Sequence, residues 1–329
     1  MSIWLRRRDF IAGLSGAAAW PLAVNAQQRA LPVVGYVSIA DATPERERAF
    51  RQGLGEAGYS EGRNVTVEYR ILDGNLDRLP AVMDDLVRRR VAVIAAPGTA
   101  PAVAARAATT TIPIAFGVGQ DPVKLGLVAS LARPGGNATG FNFFSHETEA
   151  KRLSLLHELV PKAVRVGVLV NPKNAATTDP TLREVREAAP ALGLQIQVVN
   201  ASTIGEINAA FAALTREGAD ALFVNADAFL TSRRVQLATL SVRDRIPAAY
   251  ASRDFPAVGG LMSYGTNLST DAWRQVGVYA GNILKGAKPA ELPVQQAVKF
   301  EFVINRGTAM LLGLEVPPTL LALATEVIE

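Results

Sequence analysis

The residues Pro97-Gly98-Thr99-Ala100-Pro101 follow a short apolar run and open a stretch with helical spacing. That grouping suits an anion. Glycine lets the backbone approach closely, Thr99 can cap the helix, and Pro101 suits its first turn, so free N–H groups gather at a positive helix end. An ordinary strand-to-helix turn has the same composition, and these five residues alone leave both readings open. Other polar residues end apolar runs in the same way. Ser38 and Gln120-Asp121-Pro122 do so in the first half; Asn171-Pro172, Asn225-Ala226-Asp227 and Ser252-Arg253-Asp254 do so in the second. Each is most simply a turn. Polar groups from both halves meeting at one cleft would make a ligand site.

Other chemistries fare worse. Gly53-Leu54-Gly55-Glu56-Ala57-Gly58 fits the G-x-G-x-x-G spacing, but a pyrophosphate site must follow a strand and open a helix. Here the glycines end a helical stretch that begins near Pro44, and Gly58 reads as its C-terminal cap. The two histidines, His146 and His157, have no converging metal ligands, and no G-x-S-x-G elbow supplies a serine nucleophile. Acidic pairs such as Glu45/Glu47 and Glu184/Glu187 fall on solvated helix faces. There is no cysteine, which excludes disulfides, thiolate metal sites and a lipid-modified N-terminal cysteine. No catalytic constellation, metal or cofactor is expected.

Parallel strands between helices would have to position such a cleft. Apolar runs at 33–38, 64–71, 91–96 and 112–118 alternate with helical spacing at 44–57, 76–89, 99–108 and 123–132. Near-continuous apolar strands of this kind are buried on both faces of a parallel sheet. Arg133-Pro134-Gly135-Gly136-Asn137 interrupts the rhythm, which then restarts. Strands at 164–170, 195–199, 221–225 and 248–250 alternate with helices at 147–159, 180–192, 204–217 and 230–243. The fold class is therefore α/β, with two doubly wound parallel-sheet lobes. Near the end, a short extended stretch at 260–264 precedes a helix at 270–284, a strand at 298–304 and a helix at 306–312. One helix and one strand are too little for a third domain. Shared between the lobes, they make several crossings and hence a hinge. The boundaries expected are 27–140 with 266–290 for one lobe, and 141–265 with 291–329 for the other.

Residues 1–26 read as an address. Arg6, Arg7 and Arg8 precede Asp9-Phe10-Ile11, a short apolar stretch and the small residues Val24-Asn25-Ala26. This is the pattern of an export signal of the twin-arginine type, cleaved near Ala26. Half of the formal net charge of +4 lies in Arg6 to Asp9, so the remainder is too weak to argue for nucleic acid. An exported chain without a lipid anchor fits the periplasm.

The ordered set of motifs resembles the ABC transporter substrate-binding proteins of the tryptophan-binding-like group, which have a periplasmic-binding-protein type I fold. The resemblance runs through Phe50-Arg51-Gln52-Gly53-Leu54, Gly58-Tyr59, Arg78-Leu79-Pro80, Pro113-Ile114-Ala115-Phe116, Asp121-Pro122-Val123 and Arg133-Pro134-Gly135-Gly136-Asn137. It continues in Lys151-Arg152-Leu153, Leu169-Val170-Asn171-Pro172, Ile283-Leu284-Lys285-Gly286 and Phe300-Glu301-Phe302-Val303-Ile304-Asn305. It implies a monomer that closes over a small-molecule ligand, an amino acid or related carboxylate, and hands it to an ABC permease in the inner membrane. On that likeness Gly98, Thr99 and Ala100 would hold the carboxylate, and Asp227 or Asp254 the ammonium. Aromatic walls would come from Tyr36, Phe141, Phe229, Tyr250 or Phe255, and Ser38, Asp121, Asn171 and Ser252 would lie beside them. The rivals are a hydrolase using Asp121 and Asp227, a repressor's ligand domain, which would need an N-terminal helix-turn-helix, and a sensor that presents its ligand to a membrane kinase.

Overall fold

The apolar runs become two sheets in the computed structural model, which describes residues 30–39, 44–143, 148–266, 271–297 and 300–329. Residues 1–26, expected to be an export signal, and His146 lie outside these residues. Residues 32–329 form one compact unit.

The first sheet takes β1 (Val33–Ser38), β2 (Thr66–Ile71), β3 (Val93–Pro97), β4 (Ile114–Val118) and β5 (Ala138–Asn142), with helices α1 (Pro44–Glu56), α2 (Leu79–Arg88) and α3 (Thr99–Ala108) between them. The second part begins with α4 (Glu149–Leu159), then β6 (Arg165–Val170), α5 (Ala175–Ala188), β7 (Gln195–Asn200) and α6 (Ile204–Glu217). It goes on through β8 (Ala221–Val224), α7 (Ala228–Ser232), α8 (Arg234–Arg243), β9 (Ala248–Tyr250) and β10 (Met262–Thr266). The chain ends with α9 (Asp271–Leu284), β11 (Gln295–Gln296), β12 (Phe300–Asn305), α10 (Arg306–Leu311), α11 (Pro318–Leu323) and β13 (Glu326–Ile328).

Strand order is β11-β5-β4-β3-β1-β2 in one sheet and β13-β12-β10-β9-β8-β6-β7 in the other. All pairings are parallel except β10 with β12. The central strands β3, β4 and β8 are buried at every residue, as their unbroken apolar runs require. On the first sheet, α2 and α3 cover one face through Leu79, Met83, Leu86, Ala102 and Ala105. α1 and α9 cover the other through Phe50, Leu54, Val276 and Tyr279. On the second, α4 and α5 cover one face, and α6, α7 and α8 the other.

α9 returns to the first sheet, and β12 joins the second. The chain therefore passes between the sheets after β5, after β10 and after β11. Gln295 pairs with Phe141, so the segment expected in the second lobe from 291 first adds an edge to the first sheet. Thr266 belongs to the second sheet, where its register partner is Phe300.

Gly53 has a packing reason. A Cβ there would lie 1.9 Å from the Arg274 carbonyl oxygen, and one at Gly277 would lie 2.2 Å from that of Phe50. Bare backbone lets α1 and α9 touch. Gly58 follows α1 at φ +79°, a conformation that favours glycine at a helix end.

The helix expected at 123–132 is instead a set of turns. Asp121 Oδ1 accepts the Val123 and Lys124 N–H groups at 2.8 and 3.3 Å, and Gly126 sits at φ +69°. These local bonds outcompete helical ones. The stretch at 230–243 divides into α7 and α8, and α5 begins at Ala175 with Pro180 inside it. No helix among the described residues is long and apolar enough to cross a membrane.

Candidate functional site

Both sheets run in the order 2-1-3-4-5 through their parallel strands, so strand order reverses beside β1 and beside β6. In such sheets ligands bind outside the carboxyl ends of the strands at that reversal. A cavity lies there, lined from both sheets, with an empty space of about 1090 Å³ that includes its opening to solvent, on the scale of small-molecule sites.

One wall is the start of α3. Gly98 stands at φ +131°, its N–H donating to the Gly117 carbonyl at 2.7 Å. Thr99 and Ala100 follow in the first turn, where amides have no intrahelical acceptor. Thr99 does not cap the helix. Its hydroxyl donates to Gln120 Oε1, while Asn142 Nδ2 donates to the Gln120 carbonyl at 3.0 Å. The hydroxyl fixes Gln120 in the wall and leaves the helix end to glycine.

The wall from the second sheet centres on Asp227, which caps α7. Its Oδ1 accepts the Leu230 N–H at 3.0 Å and Asn171 Nδ2 at 3.3 Å, and its Oδ2 accepts Asn174 Nδ2 at 2.8 Å. Burial pushes this carboxyl above the ordinary carboxylate range, with the amide donors pulling it back. Among the described residues no cation pairs with it. Beneath it, Thr181 donates to Asn225 Oδ1 at 2.9 Å, and the fully buried Glu149–Arg152 pair braces the start of α4.

Arg46 and Trp273 form a further part of the lining. The Arg46 guanidinium lies over the indole at 4.8 Å and pairs with Asp254 at 3.3 Å, joining α1 to the loop after β9. Thr266, at the end of β10, is buried, and its hydroxyl has no hydrogen-bond partner among the described residues.

Of the residues expected at the site, Gly98, Thr99, Ala100, Asp227, Ser252 and Asp254 line this one cavity. Asn171 stands behind it and holds Asp227. Ser38 is buried at the end of β1, its carbonyl accepting the Leu72 N–H. Asp121 is spent on its own turn, away from the lining, so the hydrolase pairing with Asp227 is not formed there. Phe141 packs in the core under α9, and Phe143 takes the lining position instead. Tyr250 is fully buried, stacked on Phe255 at 4.2 Å with its hydroxyl 3.0 Å from Ser241. Tyr36 lies edge-on to Phe50 in the core. Arg46 and Trp273 carry no strand-end signal. Their places follow only from the packing of α1 on α9.

Residues 32–328 match the family described as ABC transporter substrate binding protein. The chain belongs to this family. The "Tyrosine-binding protein" of Clostridioides difficile (strain R20291) is 26% identical over 269 residues, 82% of this chain and 76% of that one. A structure of the ABC domain from Streptococcus pneumonia in complex with L-Trp superposes with a TM-score of 0.80 at 24% identity, covering 91% of this chain and all (100%) of that one. A conserved domain protein from Vibrio cholerae O1 biovar eltor superposes with a TM-score of 0.79 at 28% identity, covering 90% and 99%. The likeness to the L-Trp complex establishes the fold: two α/β lobes of the periplasmic-binding-protein type I kind.

Proposed function

We propose that this substrate-binding protein captures an amino acid, or a related carboxylate, between its lobes by hinge closure. It then delivers the ligand to an ABC permease in the inner membrane. The observation that carries this reading is the pairing of the α3 helix start with the buried Asp227 on walls from different sheets. A helix N-terminus favours a carboxylate, and a buried carboxylate that no cation among the described residues answers favours an ammonium. Two of the similar proteins reported above carry an amino acid in their names, tyrosine in one and L-Trp in the other.

Three contacts support closure as the mechanism, because each needs the two lobes together: Arg46–Asp254 at 3.3 Å, Lys173–Asp77 at 2.9 Å, and Phe229 against Gly74. A ligand touching both walls adds contacts that exist only in the closed state, and so shifts the population toward it. The leader pattern at 1–26 supports export to the periplasm, and the chain is taken to act there as a monomer without a cofactor.

The test is a thermal-shift screen after unfolding and refolding to strip carried-over ligand, followed by calorimetry. A ligand at 100 times its Kd adds about 2.7 kcal/mol of stability. An amino acid or carboxylate should give that shift, and Asp227→Ala should remove it for amino acids. A folded protein that answers only sugars or purines would overturn the reading.

A further inference from the structure

The sheet faces divide the cavity into two ends. α3 meets α5 and α7 at one, where Thr99 and Ala100 oppose Asn174, Thr177 and Asp227, and Ala228 packs into the cluster under α2 and α3. α1 and α9 meet the β9 and β10 ends at the other, where Arg46 and Trp273 oppose Ser252, Asp254 and Thr266. The first end holds the helix start and Asp227, and so takes the carboxylate and ammonium. The second is left for the side chain of the ligand.

The formal charges on the described lining are Arg46, Asp254 and Asp227. Arg46 and Asp254 answer each other, with the Arg46 side chain 9% exposed and that of Asp254 30%. We infer that this pair is a specificity determinant, a charge filter that admits only amino acids with an uncharged side chain. The inference rests on the amino-acid reading above.

An acidic side chain at this end would compete with Asp254 for Arg46, and a basic one would compete with Arg46 for Asp254. Either brings one more charge into this end of the cavity, and desolvating it costs far more than burying a neutral group. The pair also spans the lobes, so a ligand that breaks it removes a contact of the closed state. Filtering and closure are then one event. Thr266 offers a buried hydroxyl without a partner at the same end, which the amide, hydroxyl or N–H of a neutral side chain can answer.

The experiment is calorimetry on the refolded full chain with L-leucine, L-glutamine, L-tyrosine, L-tryptophan, L-glutamate and L-lysine. At least one neutral amino acid should bind, with L-glutamate and L-lysine tenfold weaker or more. Asp254→Asn raises the cavity charge by one and should narrow the gap to L-glutamate at least tenfold. Arg46→Gln lowers it by one and should narrow the gap to L-lysine as much. Circular dichroism reports folding, and either folded variant decides. A structural role alone would weaken every ligand by one common factor, and that result overturns the filter. So does a wild-type protein that binds L-glutamate or L-lysine within tenfold of its best neutral ligand. Folded protein that binds none of the six is a different outcome; it overturns the amino-acid reading and the filter with it.

Discussion

Gly74, in the turn after β2, stands against Phe229 of the opposite lobe, and a Cβ on it would lie 3.0 Å from the ring's Cδ2 and 3.3 Å from the Phe229 Cβ. Its N–H donates to the Ile39 carbonyl at 2.7 Å, and its φ is +84°. Gly74→Ala therefore acts twice. The left-handed backbone costs about 1–2 kcal/mol with a Cβ present, and the methyl wedges the cleft. The expected outcome is a melting temperature a few degrees lower. Small-angle scattering should show a larger radius of gyration, and the ligand identified by calorimetry should bind at least tenfold more weakly. Unchanged scattering and affinity would remove the contact from the closing mechanism.

Asp227 sets binding against stability. Its carboxyl is raised by burial, so the folded state holds that proton more tightly than the unfolded chain. For a group raised on folding, the stability contribution is complete below the unfolded value and is lost as pH rises through the folded one. In its ionised form the buried carboxylate is thus a cost to the ligand-free protein. Asp227→Asn should raise the ligand-free melting temperature at pH 7, because the Asn174 amide can turn its oxygen to the new N–H₂. It should also flatten the change in stability on acidification and weaken amino-acid binding a hundredfold or more. A variant that is less stable at pH 7 yet still binds would contradict this trade-off.

The strands and the α3 wall were legible because burial on two faces forces unbroken apolar runs, and ligands gather where such runs end. Gly98, Thr99, Asp227, Ser252 and Asp254 share that simple address. Arg46 and Trp273 do not. Arg46 looks like one more charged residue beside Glu45 and Glu47, and its burial follows from α9, more than 200 positions away along the chain. Arg274–Glu56 spans 218 positions in the same contact. Tyr250 ends β9 and Phe141 stands one residue before the end of β5, but the pleat turns both into the core, and one residue of register decides that. The stretch at 123–132 has helical spacing in the sequence, while the Asp121 side chain and Gly126 direct its backbone into turns.

Within Gly53-Leu54-Gly55-Glu56-Ala57-Gly58, two glycines should behave oppositely. A Cβ on Gly53 would run into the Arg274 backbone, whereas nothing lies within 4 Å of one on Gly55. Gly53→Ala forces α1 from α9 and should cost about 1–3 kcal/mol or more, as overpacking does. Because α9 carries Trp273, ligand affinity should fall with it. Gly55→Ala should stabilise by up to about 1 kcal/mol, the helix propensity difference. Urea denaturation of both variants checks the pair. Equal effects would mean that the two helices do not meet at Gly53.

The Glu149–Arg152 pair lies under the second wall with side chains 2% and 0% exposed, and the guanidinium rests 4.2 Å over the Phe223 ring. Burial pushes Glu149 up and Arg152 down, each against the pull of the other. Arg152 also leaves Nε and one terminal nitrogen without a hydrogen-bond partner. An incompletely satisfied buried pair contributes little net stability, but halving it strands a charge. Glu149→Gln should cost about 3–5 kcal/mol, whereas Glu149→Leu with Arg152→Met should come within about 1 kcal/mol of the parent or exceed it. Urea denaturation measures both. Because Thr181 keeps its bond to Asn225 in either case, the double variant should retain its ligand, and loss of binding there would make the pair part of the site's support.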